Sequence, residues 1–156
     1  MKLRPGTLWR VPVFCIIASW LSYYITIYGG FLYVVRTTGA DGAVEVSVDP
    51  LRSTLFQGVL FLAILLLGGL WAFRSMTKLE IAASAALISA VYLVVLLLQL
   101  YLPGFPPALS VWLAPFQNWK GILSSLLLRF MNFHLALAAS TFAPFLFVPF
   151  GRRQKG

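Results

Sequence analysis

Long uncharged apolar runs alternate along this chain with short segments that carry charges or turn-forming residues. A helix rising about 1.5 Å per residue needs about 20 apolar residues to cross about 30 Å of hydrocarbon. Three runs reach that length without a charge: Val11 to Val35, Thr54 to Phe73 and Ile81 to Leu102. A fourth apolar stretch, Gly121 to Phe150, is longer and contains Arg129, Asn132 and His134. Measured back from the basic residues Arg152, Arg153 and Lys155, a span of ordinary length begins near Leu127. Arg129 then falls close to the opposite headgroups, where a long cationic side chain can snorkel, and Pro144 predicts a kink. The pattern predicts an all-α integral membrane protein, a four-transmembrane-helix bundle forming one domain over 1–156. Its spans fall at about 11–35, 54–73, 81–102 and 127–150.

The segments between these runs have characters of their own. Residues 36–53 carry turn chemistry in Gly39, Asp41 and Gly42. The alternation Val44, Glu45, Val46, Ser47, Val48 follows, and Asp49 and Pro50 stop it, which predicts one short strand or extended segment. Residues 103–126 open with Pro103, Gly104, Pro106 and Pro107, which forbid helix there. Beyond them Trp112, Phe116, Trp119, Leu123, Leu126 and Leu127 recur at helical spacing, with Gln117, Asn118, Lys120, Ser124 and Ser125 on the other face. This predicts an outer interfacial or re-entrant helix before the last span, broken by Pro115. Residues 74–80 form a short loop on the opposite side.

Charge orients the spans. Lys2, Arg4, Arg10, Arg74, Lys78, Arg152, Arg153 and Lys155 fall on one side of the four-span arrangement, and Arg36, Arg52 and Lys120 on the other. The positive-inside rule then places both termini in the cytoplasm. Three or five spans would strand basic clusters on both sides. The basic start resembles a signal-peptide n-region, but the 25 uncharged residues from Val11 to Val35 exceed the roughly 7–15 of a signal h-region, so the first span is expected to be retained.

Composition fits: 60% of the 156 residues are hydrophobic and 10% charged, too apolar for a soluble fold of this size. The net charge of +8 is distributed in tufts between apolar runs, without the clustered basic face and stacking aromatics of a nucleic-acid footprint, so no nucleic-acid partner is expected. Cys15 is the only cysteine, which excludes an intramolecular disulfide and a CxxC pair, and it is expected to pack as a small hydrophobe.

Candidate chemistry is sparse. Arg129, Asn132 and His134 are the polar group inside a candidate span, where a central charge costs about 2.5–3.5 kcal/mol and calls for a partner. At about 100° per residue His134 is turned about 140° from Arg129, which weakens a joint site. The first span is rich in hydroxyls, Tyr24 and Tyr28 among them, which could line a groove or form an aromatic belt. One histidine cannot ligate haem on both faces or complete a zinc triad, and no cofactor is expected. Glu80, beside Arg74 and Lys78, reads as an interfacial ion pair at a helix N-terminus. Asp41, Glu45 and Asp49 match no calcium-loop spacing.

Small residues repeat at four-residue intervals, as Ala82, Ala86 and Ala90 in the third span and Ala136 and Ser140 in the fourth. In lipid such stripes permit close helix contact. The expectation is a non-catalytic multi-pass protein of a bacterial or archaeal cell membrane, acting as subunit, scaffold or accessory factor. Its partners would be the lipid bilayer and either further copies of itself or a larger membrane protein. The alternative is a small oligomeric transporter or channel for an anion or amphiphile, using Arg129, Asn132 and His134. A membrane enzyme built on the outer-loop acids ranks third.

Overall fold

The structure is a computed structural model that describes residues 5–38, 42 and 44–152. Lys2, Arg4, Gly39, Asp41, Arg153 and Lys155, which enter the charge and turn arguments above, lie outside the described residues. The described chain is mostly helical. Helix α1 (Arg10–Tyr28) continues as a 3-10 turn over Gly29–Leu32, and strands β1 (Val34–Thr38) and β2 (Val44–Val48) form a hairpin. Helix α2 (Pro50–Leu66) continues as a π-helical segment, Leu67–Ala72. Helices α3 (Lys78–Tyr101), α4 (Pro107–Leu127) and α5 (Phe133–Ser140) follow, and a 3-10 segment, Ala143–Phe150, closes the fold.

Three helical stretches are long and apolar enough to cross a membrane: Arg10–Leu32, Pro50–Ala72 and Lys78–Tyr101. The pair Phe133–Ser140 and Ala143–Phe150, bent by 46°, makes a fourth if taken as one span. Only 33%, 28% and 39% of the three apolar windows are buried within the chain, so most of their apolar surface points outward. That is far more than a soluble monomer leaves exposed.

Several boundaries differ from expectation for identifiable reasons. The first helix stops at Tyr28 rather than near Val35, because the β-branched residues Val34, Val35, Thr37 and Thr38 pair with the 44–48 segment instead. Val34 sits opposite Val48 and Thr38 opposite Val44 in an antiparallel register, so the single strand expected there has a partner. Asp49 and Pro50 do end β2, but they also start α2 four residues before the expected Thr54. The Asp49 carboxylate accepts from the backbone N–H of Leu51 at 2.9 Å and of Arg52 at 3.1 Å, and Pro50 occupies a position that needs no donor. Helix α3 begins at Lys78 behind a capping box: Thr77 Oγ1 accepts from the Glu80 N–H, and the Glu80 carboxylate accepts from the Thr77 N–H at 2.9 Å.

The last two helical segments depart further. Helix α4 starts at Pro107 and runs through Pro115 without a break. The fourth candidate span does not start at Leu127; a turn over 128–132 separates it from α4, and Asn132 caps α5. The bend lies between Ser140 and Ala143, adjacent to the expected kink residue Pro144.

One end of the bundle gathers the first and last described segments of the chain and the α2–α3 turn. Ser84 Oγ donates to the Leu8 carbonyl and accepts from the Val11 N–H, while Arg152 and the 76–78 backbone exchange hydrogen bonds of 3.0 and 3.2 Å. The hairpin marks the other end. Helix α3 runs beside α1 away from the termini end, bringing Tyr92 level with Ser19, so its last residue, Tyr101, lies at the hairpin end. Helix α4 begins six residues later, at Pro107. It is followed by Arg129, which bonds to the first turn of α2, also at the hairpin end. Helix α4 packs against α1, with Trp119, Lys120, Ile122 and Ser124 buried.

The core is aromatic. Trp119 stacks between Phe61 at 5.1 Å and Phe147 at 5.2 Å, and Phe147 packs edge-on against Phe14 and Phe73 at 5.6 and 4.9 Å. Such pairs contribute about 0.5–1.5 kcal/mol each beyond area burial. Gly68 makes the approach possible: a Cβ there would stand 2.5 Å from Phe147 Cε1 and 2.8 Å from Phe14 Cε1.

Candidate functional site

The polar residues picked out in the sequence are each committed locally. The Arg129 guanidinium, exposed at the hairpin end, donates to the Pro50 carbonyl at 3.2 Å and to Thr54 Oγ1. Asn132 is the N-cap of α5, its Oδ1 accepting from the Leu135 N–H at 3.0 Å. His134 is exposed, its ring edge-on to Phe133 at 5.7 Å. These contacts draw the three side chains to different neighbours. Tyr24 and Tyr28 stack on each other at 6.3 Å along one exposed face of α1, with Trp20 tilted against Tyr24 at 5.8 Å. That is an aromatic strip on the outside of the bundle.

The outer-loop acids are likewise engaged or isolated. Asp49 caps α2 and pairs with Arg52 at 3.4 Å, and Glu45 lies on an exposed strand. Among the described residues, no three His, Cys, Asp or Glu side chains come together as metal ligands would. Cys15 is fully buried in the core.

A different constellation lies inside the bundle. Each of the apolar helices α1 and α3 carries polar residues three apart on one inward face: Ser19 and Ser22 on α1, Ser89 and Tyr92 on α3. Helix α4 turns Asn118 and Lys120 toward them. Asn118 Nδ2 donates to Ser22 Oγ at 2.9 Å, and Ser22 Oγ donates to the Ser19 carbonyl at 2.9 Å. The Tyr92 hydroxyl faces Ser19 across the α1–α3 contact. Lys120, only 4% exposed, holds its ammonium 5.7 Å from the centre of the Tyr92 ring. Among the described residues no carboxylate pairs with Lys120, and the ring face supplies its electrostatic partner. Around it Ser89 Oγ and Trp119 Nε1 are buried without a hydrogen-bond partner, and the hydroxyls of Ser19 and Tyr92 are buried facing each other.

Chemically this seam offers one cation and several hydroxyl donors, a set suited to binding or relaying a small anion but lacking the acid or base of a hydrolytic site. The charge count placed Lys120 in an outer loop; it is instead buried, because the polar face of α4 turns inward onto the serines of α1 and α3. The signal was present in the spacing of Ser19 with Ser22 and Ser89 with Tyr92, which put polar groups on one side of otherwise apolar helices. Comparisons with protein-family models, with curated proteins and with solved structures find no match to this chain.

Proposed function

We propose that the chain is a four-span membrane protein with both ends cytoplasmic, serving without catalysis as a subunit or scaffold of a larger membrane assembly. The bent α5 pair is the fourth span, and α4 is the outer interfacial or re-entrant helix that precedes it. Arg10, Arg74, Lys78 and Arg152 lie at the termini end, which Lys2, Arg4, Arg153 and Lys155 flank in the sequence. Arg36, Arg52 and Arg129 lie at the hairpin end beside Glu45 and Asp49, so the basic excess at the termini end supports this orientation.

The observation that carries the assembly reading is on α3. One of its small-residue faces, Ser84, Ala85 and Ser89, is buried against the rest of the chain, whereas Ala86 and Ala90, with Val91 and Val94, face outward. A second helix could approach closely along that outward stripe. The test is assembly size in a mild detergent: the chain runs as a defined complex, and Ala86→Trp returns it to the monomer. A strictly monomeric chain with a measurable turnover would contradict the proposal.

A second reading draws on the buried seam: Lys120 with the hydroxyls of Ser19, Ser89 and Tyr92 would form part of a path for a small anion. It predicts anion flux in proteoliposomes that Lys120→Met abolishes; flux that survives this change rules out the seam as the path. The Arg129, Asn132 and His134 version of that reading is weakened by the separate commitments of the three residues.

A further inference from the structure

A groove of about 360 Å³ lies between α1 and the end of the α2 π-helical segment, at the termini end of the bundle. Its lining separates into two parts. Phe14 and Phe73 supply an aromatic floor, and Val13 and Ile17 supply an exposed aliphatic wall extending along α1. Trp9 and Arg10 stand at one end. From Arg10 to Ile17 the helix rises about 10 Å, so the groove is an apolar track that starts at a guanidinium.

The charges at that end complete the pattern. Arg10 Nη1 donates to Ser75 Oγ at 2.8 Å, and the exposed Arg74 is the residue between Ser75 and the groove-lining Phe73. An arginine has five N–H donors, so this one bond leaves most of the fork for an anion. Glu80, in the capping box with Thr77, is the nearest acid in the sequence, one carboxylate against Arg10, Arg74 and Lys78. The groove therefore joins a surplus of positive charge to an apolar channel, with an exposed tryptophan at the depth of the junction. A ligand matching both parts needs an anionic head and a hydrocarbon tail.

We propose that this groove binds an anionic phospholipid of the cytoplasmic leaflet, its phosphate held by Arg10 and Arg74 and one acyl chain lying along Val13, Ile17, Phe14 and Phe73. Basic recesses between helices on that side of a membrane hold acidic lipid heads by the same attraction that sets the positive-inside bias. A zwitterionic lipid would fill the apolar track equally well but would gain far less from the two arginines. Selectivity therefore comes from the mouth and residence from the track.

The experiment uses the full chain in phosphatidylcholine vesicles doped with either dibrominated phosphatidylglycerol or dibrominated phosphatidylcholine. The contribution of Trp9 is taken by difference from Trp9→Phe. Brominated phosphatidylglycerol should quench Trp9 at lower mole fraction, each arginine contributing a preference of about fivefold. Arg10→Gln and Arg74→Gln should each remove their share while helicity by circular dichroism is unchanged; Arg74 is exposed, so its variant keeps the test valid if loss of the Arg10 bond perturbs folding. Added glycerol 3-phosphate should leave the quenching intact, because the head alone lacks the tail. Equal quenching by the two lipids, a preference that survives both substitutions, or relief by glycerol 3-phosphate would overturn the proposal.

Discussion

Replacing Lys120 by methionine should make the protein more stable. The residue is buried, and its ammonium meets the face of Tyr92 rather than a carboxylate. A desolvated cation–π contact contributes about 2 kcal/mol, whereas withdrawing an ammonium from water costs several kcal/mol even after local relaxation. Methionine keeps the length and much of the volume of the stem and brings no charge to desolvate. The balance favours the variant by about 1–3 kcal/mol, within the roughly 1–4 kcal/mol seen when buried ion pairs give way to apolar residues of similar volume. The assay is reversible unfolding by dodecyl sulfate titrated into dodecyl maltoside micelles, followed by tryptophan fluorescence. Tyr92→Phe is the companion measurement: it keeps the ring under the ammonium and removes only the hydroxyl that faces Ser19, so it should change stability by about 1 kcal/mol or less while the Lys120→Met effect persists in its background. If Lys120→Met instead destabilises by about 1 kcal/mol or more, the lysine has a stronger counterpart than the Tyr92 ring and the reasoning fails.

Two glycines separate packing from backbone entropy. Gly68→Ala should destabilise by about 1–3 kcal/mol in the same titration, because its Cβ would collide with the Phe147 and Phe14 rings. Gly58→Ala, with nothing within 4 Å of the added carbon, should stabilise α2 by about 0.5–1 kcal/mol. Thr77→Ala should cost about 1 kcal/mol by opening the capping box, and amide exchange at the start of α3 should rise with it.

The helices were legible in the sequence because the signal for a span is coarse: about 20 uncharged apolar residues are hard to mistake. Ile81 to Leu102 lies almost entirely within α3. What the runs concealed was where apolar residues leave the helix. Val34 and Val35 extend the first run without a change of hydropathy, yet their β-branched neighbours and the matching 44–48 strand draw them into a hairpin. Asp49 and Pro50 read as a stop signal for the strand, although the same pair is a helix start. Pro115 did not break α4, which runs through it and buries only residues beyond it, Trp119 to Ser124. The polar seam was missed because Lys120 was assigned by charge counting, which treats every lysine between spans as solvent-facing. Reading the faces of α1, α3 and α4 together places it inside.

Helices crossing a bilayer with the termini end in the cytoplasm make a directly measurable arrangement in a chain with a single cysteine. Cys15 is fully buried, so in a Cys15→Ala background one introduced thiol reports one position. Glu45→Cys on the hairpin and Ser75→Cys in the α2–α3 turn, both exposed, are each treated in intact cells with a membrane-impermeant maleimide. The hairpin thiol should react at once and the turn thiol only after permeabilisation. Labelling of both in intact cells, or of the turn alone, would contradict the arrangement.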